Sequence, residues 1–555
     1  MIRKSMHRAL RPWIRRERRR WSDNACFLLA LVAGLLAFVV QSGELGTSDT
    51  THRLQSAHSI WTSEPPVFPE EYPEFGIHGR DGRLQSWYGM GQSLLMLPAD
   101  IAGTYIARIP AFADYGDTDP TVRDIVVSYS TSIVVSVLTA VVCLRFLLLL
   151  GFEQRHASAG VLALLFATSH LHYTQNLMEN NYIFLLTLAG FCFQFEWLRT
   201  GRTNALLIGS AALGLNLLTR LTTGLDLLAA GVFVLGVLWM EGVRGQELRD
   251  RCRLYVSVAA PVYLFFGIID RLYQYYRFGS FFNTYVSVIA REARQRDPKL
   301  PAAYPFEMPF HAGFWGPLFA PEKSIFLFDP LLILTVLLAV TGWRRLNAPA
   351  RAYIMATGLL LCAYISFYAR YTVWSGDFAW GDRYVSTAVE LASLLAVPLL
   401  LGYRALWGRI LLGIAASLLA ASLAVQLASL AFWLPLEIYQ METRGHPTFV
   451  IGLRFVNIAA FALGKMDAWG LTNHAMTEDP WDYAHITCWN FLPFLLRRVG
   501  VAPAWAVRSV LGAWLAAVAA LLCALMRLLT VSLQSRGEAA LTIDPPYTHP
   551  GGQLK

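Results

Sequence analysis

At 555 residues, with 55% apolar and 15% charged residues and a mean hydropathy of +0.42, the chain is too apolar for a soluble protein. Soluble domains run nearer about 45–50% apolar and about 25% charged, so roughly twelve crossings of about 20 residues each would absorb the excess. Seven scattered cysteines with no CxxC pair argue against a disulfide scaffold and a zinc site, and the net charge of +8 is concentrated ahead of the first apolar run, where it reads as a membrane-surface signal and no nucleic-acid footprint.

Residues 1–24 form a basic N-terminus that includes Arg15, Arg16, Arg18, Arg19 and Arg20, and the apolar run 25–40 follows. Gln41-Ser42-Gly43-Glu44 offers no small-x-small cleavage site, so this run reads as an uncleaved first span. Further apolar runs lie at 125–150, 157–171, 182–198, 205–218, 221–240, 254–270, 324–342, 352–368, 385–401, 410–434 and 504–529. The pattern predicts an all-α polytopic membrane protein of about 12 transmembrane helices: a transmembrane domain over 25–434, a long outer loop over 435–503, a last helix over 504–530 and a cytoplasmic tail over 531–555.

With a cytoplasmic N-terminus, the inner loops are more than twice as dense in Lys and Arg as the outer ones, which supports the count and orientation. The tail basics Arg527, Arg536 and Lys555 belong to the inner set. Length is concentrated outside, in 41–124, 273–323 and 435–503, so the working surface is expected on the outer face. Run 449–464 holds Arg454 and Asn457, which favour an interfacial or packed helix over a crossing.

Two interfacial helices are expected in the first outer loop. After Ser48-Asp49-Thr50-Thr51-His52-Arg53, the residues Leu54, Ala57 and Ile60 recur at helical spacing, and the stretch 93–109 is interrupted by Pro98 and Asp100. Asp49 lies near the membrane surface at the start of the first of these helices, where its spacing reads first as a helix N-cap. Glu64, Glu70, Glu71 and Glu74 read as a solvated face.

Several stretches resemble one family. Asp49 after the first span, the run Gly82, Leu84, Ser86 or Trp87, Tyr88 and Gly91, and a following Leu-Pro-Ala are similar to the first outer loop of GT-C-type, polyprenyl-phosphate-sugar-dependent glycosyltransferases, the protein O-mannosyltransferase and lipid A aminoarabinose transferase group. Leu217-Leu218-Thr219-Arg220-Leu221-Thr222 resembles its Leu-Thr-Arg-Pro-Thr, with Leu221 in place of Pro. Tyr276-Arg277-Phe278-Gly279-Ser280 resembles its Arg-Phe-Gly-Ser. Gly316-Pro317-Leu318-Phe319-Ala320-Pro321-Glu322-Lys323-Ser324 with Asp329-Pro330-Leu331 follows a third pattern, Ala320 and Ser324 departing from it. Trp374-Ser375-Gly376-Asp377 through Trp380-Gly381-Asp382-Arg383-Tyr384 follows a fourth. The pieces keep the family's order over roughly residues 25–400.

The resemblance implies a GT-C-like architecture and transfer of a sugar from a polyprenyl-phosphate carrier to a glycan, lipid or protein acceptor on the outer face, by one inverting displacement. It implies Asp49 as the catalytic base. Arg383, Arg220, Arg277 and Lys323 are then candidates for the donor phosphate, for which a permanent charge and a planar fork suit Arg. Arg53, His78, Arg83, Tyr88, Glu179, Asp382 and Tyr384 are substrate-binding candidates. Phosphate leaves without needing an acid, so the paired carboxylates of glycoside hydrolysis are not required.

Other readings stand beside these. Arg383 fits an ion pair with Asp382 or Asp377, and Arg220 fits snorkelling to the interface. Arg291, Arg294, Arg296 and Lys299 fit a solvated face or a phosphate-attracting field. His78, His170 and His172 do not define a metal site, no cofactor is required, and a divalent metal is not indicated. Trp469, His474, Trp481, Tyr483, His485 and Trp489 fit sugar stacking or an interfacial belt. The expected surroundings are membrane lipids, with no nucleic acid, in a multi-pass protein of a bacterial inner membrane. A transporter or flippase of a lipid-linked or anionic substrate, and a ligase using a diphosphate carrier, are the competing functions.

Overall fold

The computed structural model describes residues 23–116, 118–376, 379–432, 451–463 and 489–541. The basic segment before residue 23, Asp377, the tail basic Lys555, and Trp469, His474, Trp481, Tyr483 and His485 lie outside the described residues.

Each of the twelve apolar runs contains helix within its described residues. In chain order the helices are α1 (Asp23–Val40), α2 (Ser48–His58), α3 (Met90–Ala107), α4 (Val122–Leu149), α5 (Gln154–Ala167), α6 (His170–Gln175), α7 (Asn180–Thr200), α8 (Thr203–Leu217), α9 (Gly224–Met240) and α10 (Gly245–Phe278). There follow α11 (Tyr285–Arg296), α12 (Phe310–Phe319), α13 (Ile325–Phe328), α14 (Leu331–Gly342), α15 (Ala348–Tyr368), α16 (Ser386–Ser393), α17 (Ala396–Gly402), α18 (Arg409–Ser429), α19 (Ile451–Ala462), α20 (Leu492–Val499) and α21 (Ala504–Leu541). Among the described residues, six helical segments are long and apolar enough to cross a membrane: Val122–Leu149, Leu221–Met240, Gly245–Phe278, Ala348–Tyr368, Arg409–Ser429 and Ala504–Val531. Along α10 and α21, Leu254, Leu264, Phe265, Leu515, Leu522 and Met526 are exposed, a surface that only a lipid environment makes favourable. The protein is a multi-pass membrane protein.

Several helix limits differ from the hydropathy reading. Run 254–270 lies within the 34-residue α10, which reaches Phe278 and ends where Gly279 adopts φ 72°. Run 324–342 is divided at Asp329-Pro330, because proline lacks the amide that would continue α13. Within 449–464, α19 packs its Arg454 against the end of α18, donating to the Ala428 and Ser429 carbonyls at 3.3 Å each.

Packed face to face, α4, α7, α9 and α15 bury Phe146, Phe191, Phe195, Phe233 and Tyr353, whose rings lie 5.1–6.4 Å apart. α4 starts with a capping box: Thr121 accepts the Asp124 amide while Asp124 accepts the Thr121 amide. Between α2 and α3 a small hairpin pairs β1 (Gly76–His78) with β2 (Leu84–Ser86), in the register Gly76 to Ser86. The hairpin docks on the end of α10, where the Arg80 amide donates to the Arg277 carbonyl at 2.7 Å.

Candidate active site

The charged side chains singled out in the sequence sit at helix ends. Asp49 opens α2, Glu179 precedes α7, Arg220 joins α8 to α9, Arg277 closes α10 and Arg383 precedes α16. Antiparallel neighbours bring these ends to one end of the bundle.

Asp49 is not the N-cap of α2. Thr47 holds that position with extended backbone, and Asp49 lies in the first turn, where its charge is favoured by the helix dipole. One Asp49 oxygen accepts from Arg383 Nη1 at 2.7 Å and the other from the Tyr88 hydroxyl at 2.7 Å. Burial raises the carboxyl's pKa, but Arg383 and then Arg53 outweigh it, helped by the Tyr88 hydrogen bond, and hold it below the ordinary value. The Tyr88 phenol is pushed well up, first by burial and then by Asp49, so it remains a donor.

One turn along α2, Arg53 lies on the same face as Asp49. Its guanidinium stacks over the Tyr88 ring at 4.4 Å and forms an ion pair with Glu179 at 2.7 Å. Glu179, 1% exposed, also accepts from Arg220. Burial opposes its ionisation, yet Arg53, Arg220 and Arg383 together depress its pKa strongly. Five groups, Asp49, Glu179, Arg53, Arg220 and Arg383, thus form one interlocked cluster. Arg383 pairs with Asp49 in place of Asp382, and Arg220 is held by Glu179 instead of snorkelling free.

Tyr384 joins the cluster to a cavity. Its ring lies 5.1 Å from Arg220 and 5.3 Å from Arg383, and it stacks on Tyr368 at 4.4 Å. The cavity, about 450 Å³, is walled by Arg220, Leu225, Tyr285, Phe306, Phe367 and Tyr371 among others. Tyr285, Tyr368 and Tyr371 were not singled out in the sequence, because they lie in two separate segments, the start of α11 and the stretch around the end of α15, and only folding sets them around Arg220. A second, more polar cavity of about 370 Å³ opens against the Ser48 and Thr51 side of α2, with Asn176, Asn490 and Phe432 in its wall.

The remaining candidates are positioned differently. Arg277, 1% exposed, donates to the Ser86 and Tyr88 carbonyls and so anchors the Tyr88 loop from behind. Lys323, 3% exposed, donates to the Ala379 and Gly381 carbonyls at 2.9 and 3.1 Å and shapes the turn that carries Arg383. Asp382 accepts the Tyr384 amide at 3.0 Å, and burial pushes its pKa up to about 7 against Lys323 and Arg383. His78 sits half-exposed beside Glu292 and Arg83 is exposed beside Asp81, both on the hairpin and outside the cluster. His170 lies 3.5 Å from the buried Glu390, His172 stacks on Trp380, and Trp489 stacks on Phe432. Among the described residues no group of three or more His, Cys, Asp or Glu has the geometry to hold a metal ion.

Two glycines permit this assembly. The Gly91 amide donates to the Leu218 carbonyl at 2.9 Å, and a side chain on Gly89 would strike the Leu218 and Thr219 carbonyls. Only with hydrogen in place of Cβ does the Tyr88 loop reach the turn bearing Arg220.

No family model matches the sequence, and no curated protein matches it. A solved crystal structure, the apo oligosaccharyltransferase of Archaeoglobus fulgidus, is similar over 74% of this chain and 56% of that one, at 13% identity and a TM-score of 0.42. The chain therefore spans little more than half the length of that protein.

Proposed function

We propose that this protein is an integral-membrane glycosyltransferase that moves a hexosyl or pentosyl unit from an isoprenoid-phosphate carrier to a glycan, lipid or protein hydroxyl outside the cytoplasm. The observation that carries the reading is the Asp49 carboxylate, kept ionised by Arg383 and set beside Arg53 and Arg220 next to an aromatic, apolar-walled cavity. A carboxylate can take the acceptor proton as the hydroxyl attacks the anomeric carbon, and guanidinium groups can receive the charge that builds on the departing lipid phosphate. Phosphate carries that charge away by itself, so one displacement with inversion completes the transfer. The 450 Å³ cavity suits an isoprenoid segment, with Arg220 at its polar end.

In this reading about twelve helices cross the membrane, and Asp49 faces the side opposite the basic N-terminus. A transporter or flippase would keep its function without an ionisable group at position 49. The deciding experiment is mass spectrometry of cell-envelope glycans and lipids with wild-type protein, with Asp49→Asn and with none. A sugar lost equally from the last two supports the transferase, whereas a sugar retained in the Asp49→Asn cells overturns it.

A further inference from the structure

We infer that Glu179 sets the charge of the phosphate this site accepts, and so selects a carrier linked through one phosphate over a carrier linked through two. The inference rests on the proposed transferase reading of the same cluster.

Its basis is the balance of charge in a closed set. Among the described residues, Asp49 and Glu179 face Arg53, Arg220 and Arg383, and each of these groups feels chiefly the others and the adjoining tyrosines. Two carboxylates against three guanidinium groups leave one net positive charge. Outside the set, Lys323 is engaged by the Ala379 and Gly381 carbonyls and Arg277 by the Ser86 and Tyr88 carbonyls, and neither contact involves Glu179. A sugar joined to a lipid through a single phosphodiester carries one negative charge and neutralises the set. A diphosphate linkage carries two and leaves an uncompensated negative charge in a partly desolvated site, which is unfavourable.

Glu179 is the member whose charge can be varied without removing a direct contact to the proposed base. It contacts Arg53 and Arg220, while Asp49 is held by Arg383 and Tyr88. Removing its charge would leave the set at two positive charges, which suits a diphosphate ester or the dianionic monophosphate released after transfer. Glu179 would then be a positioning and specificity residue: it aims Arg220 toward the cavity and limits how strongly the product is held.

The test measures binding of polyprenyl monophosphate and polyprenyl diphosphate of equal chain length to the full-length protein in neutral-lipid nanodiscs, together with transfer kinetics from sugar-linked forms of both. Wild type is expected to favour the monophosphate-linked donor by about tenfold or more, and Glu179→Gln to cut that preference by about tenfold. The same variant should bind polyprenyl monophosphate more tightly, with stronger product inhibition and lower kcat, which a merely structural defect would not produce. Glu179→Asp should restore the wild-type preference. The double variant Glu179→Gln/Arg220→Gln returns the set to one positive charge, so it should regain the preference for one phosphate even if its affinity is weaker. A preference unmoved in Glu179→Gln overturns the inference and leaves the transferase reading standing. Wild-type protein that binds neither lipid overturns both.

Discussion

Asp49 and Arg383 lie 334 residues apart in the chain and meet at 2.7 Å, with side chains only 19% and 13% exposed. This ion pair ties the first turn of α2 to the turn that leads into α16. Breaking a pair so enclosed by removing one partner typically costs about 3–5 kcal/mol, because the other charge is left without compensation. The pair therefore locks the geometry of the site as well as setting the state of its carboxylate.

Asp49→Asn keeps the size of the side chain and one of its two acceptor oxygens but cannot take a proton. Transfer should fall by about 10²–10⁴-fold, the usual contribution of a positioned base, while the protein still inserts and folds, with a melting temperature lowered by the loss of Arg383's counter-charge. Turnover within threefold of wild type in a purified donor assay would remove Asp49 from the mechanism.

Arg383→Gln separates ionisation from placement. In the wild type, burial pushes the Asp49 pKa up and the arginines pull it lower, so the carboxylate remains charged to below the ordinary value of about 3.9. No acid limb from Asp49 should be seen in kcat/KM at or above pH 5. With Arg383 gone the larger counter-charge is lost, burial prevails, and the acid limb should move upward into the accessible range. A profile with the same acid limb in both proteins would assign that limb to another group.

The membrane class and helix content were legible in the sequence because hydropathy reports desolvation directly, residue by residue. Helix limits were less so: α10 runs past residue 270 to Phe278 because an amphipathic extension has no hydropathy signal, and the break at Asp329-Pro330 is local chemistry inside an apolar run. Asp49, Arg53, Glu179, Arg220 and Arg383 were each singled out, yet their pairing was not. The sequence suggested Asp382 or Asp377 as partner to Arg383, whereas the fold supplies Asp49, 334 residues away. His78 and Arg83 share a loop with Tyr88, but the hairpin turns them outward while Tyr88 points in.

Asp382 gives a pH signature of stability. Burial raises its folded-state pKa to about 7, above the unfolded value of about 3.9. The folded state therefore favours the proton, and stability should fall as pH rises from about 4 through 7. Asp382→Asn keeps an acceptor for the Tyr384 amide and removes the titration. Melting curves at pH 5 and pH 8 should show the wild type losing several degrees more than the variant over that interval. Parallel losses in both would show that another group governs the trend.

Gly89 tests whether the approach of the Tyr88 loop to the Arg220 turn matters for the chemistry. Its backbone is ordinary at φ −71°, so alanine brings no torsional penalty; the obstacle is the pair of carbonyls from Leu218 and Thr219 that a Cβ would strike. Backbone atoms cannot swing aside as a flexible side chain would, so Gly89→Ala must separate the loop from the turn. Overpacking of this kind commonly costs about 1–3 kcal/mol. Tyr88 then moves off Asp49 and Arg53, and Arg220 shifts relative to Glu179. Transfer should drop at least about tenfold with a melting temperature lowered by a few degrees. The exposed Gly82, whose added Cβ would meet nothing within 4 Å but whose φ of 77° resists alanine, serves as the comparison. Gly82→Ala should destabilise the hairpin turn and leave donor turnover near wild type. Equal loss of turnover in the two variants would mean that the hairpin as a whole, and not the Gly89 contact, positions Tyr88.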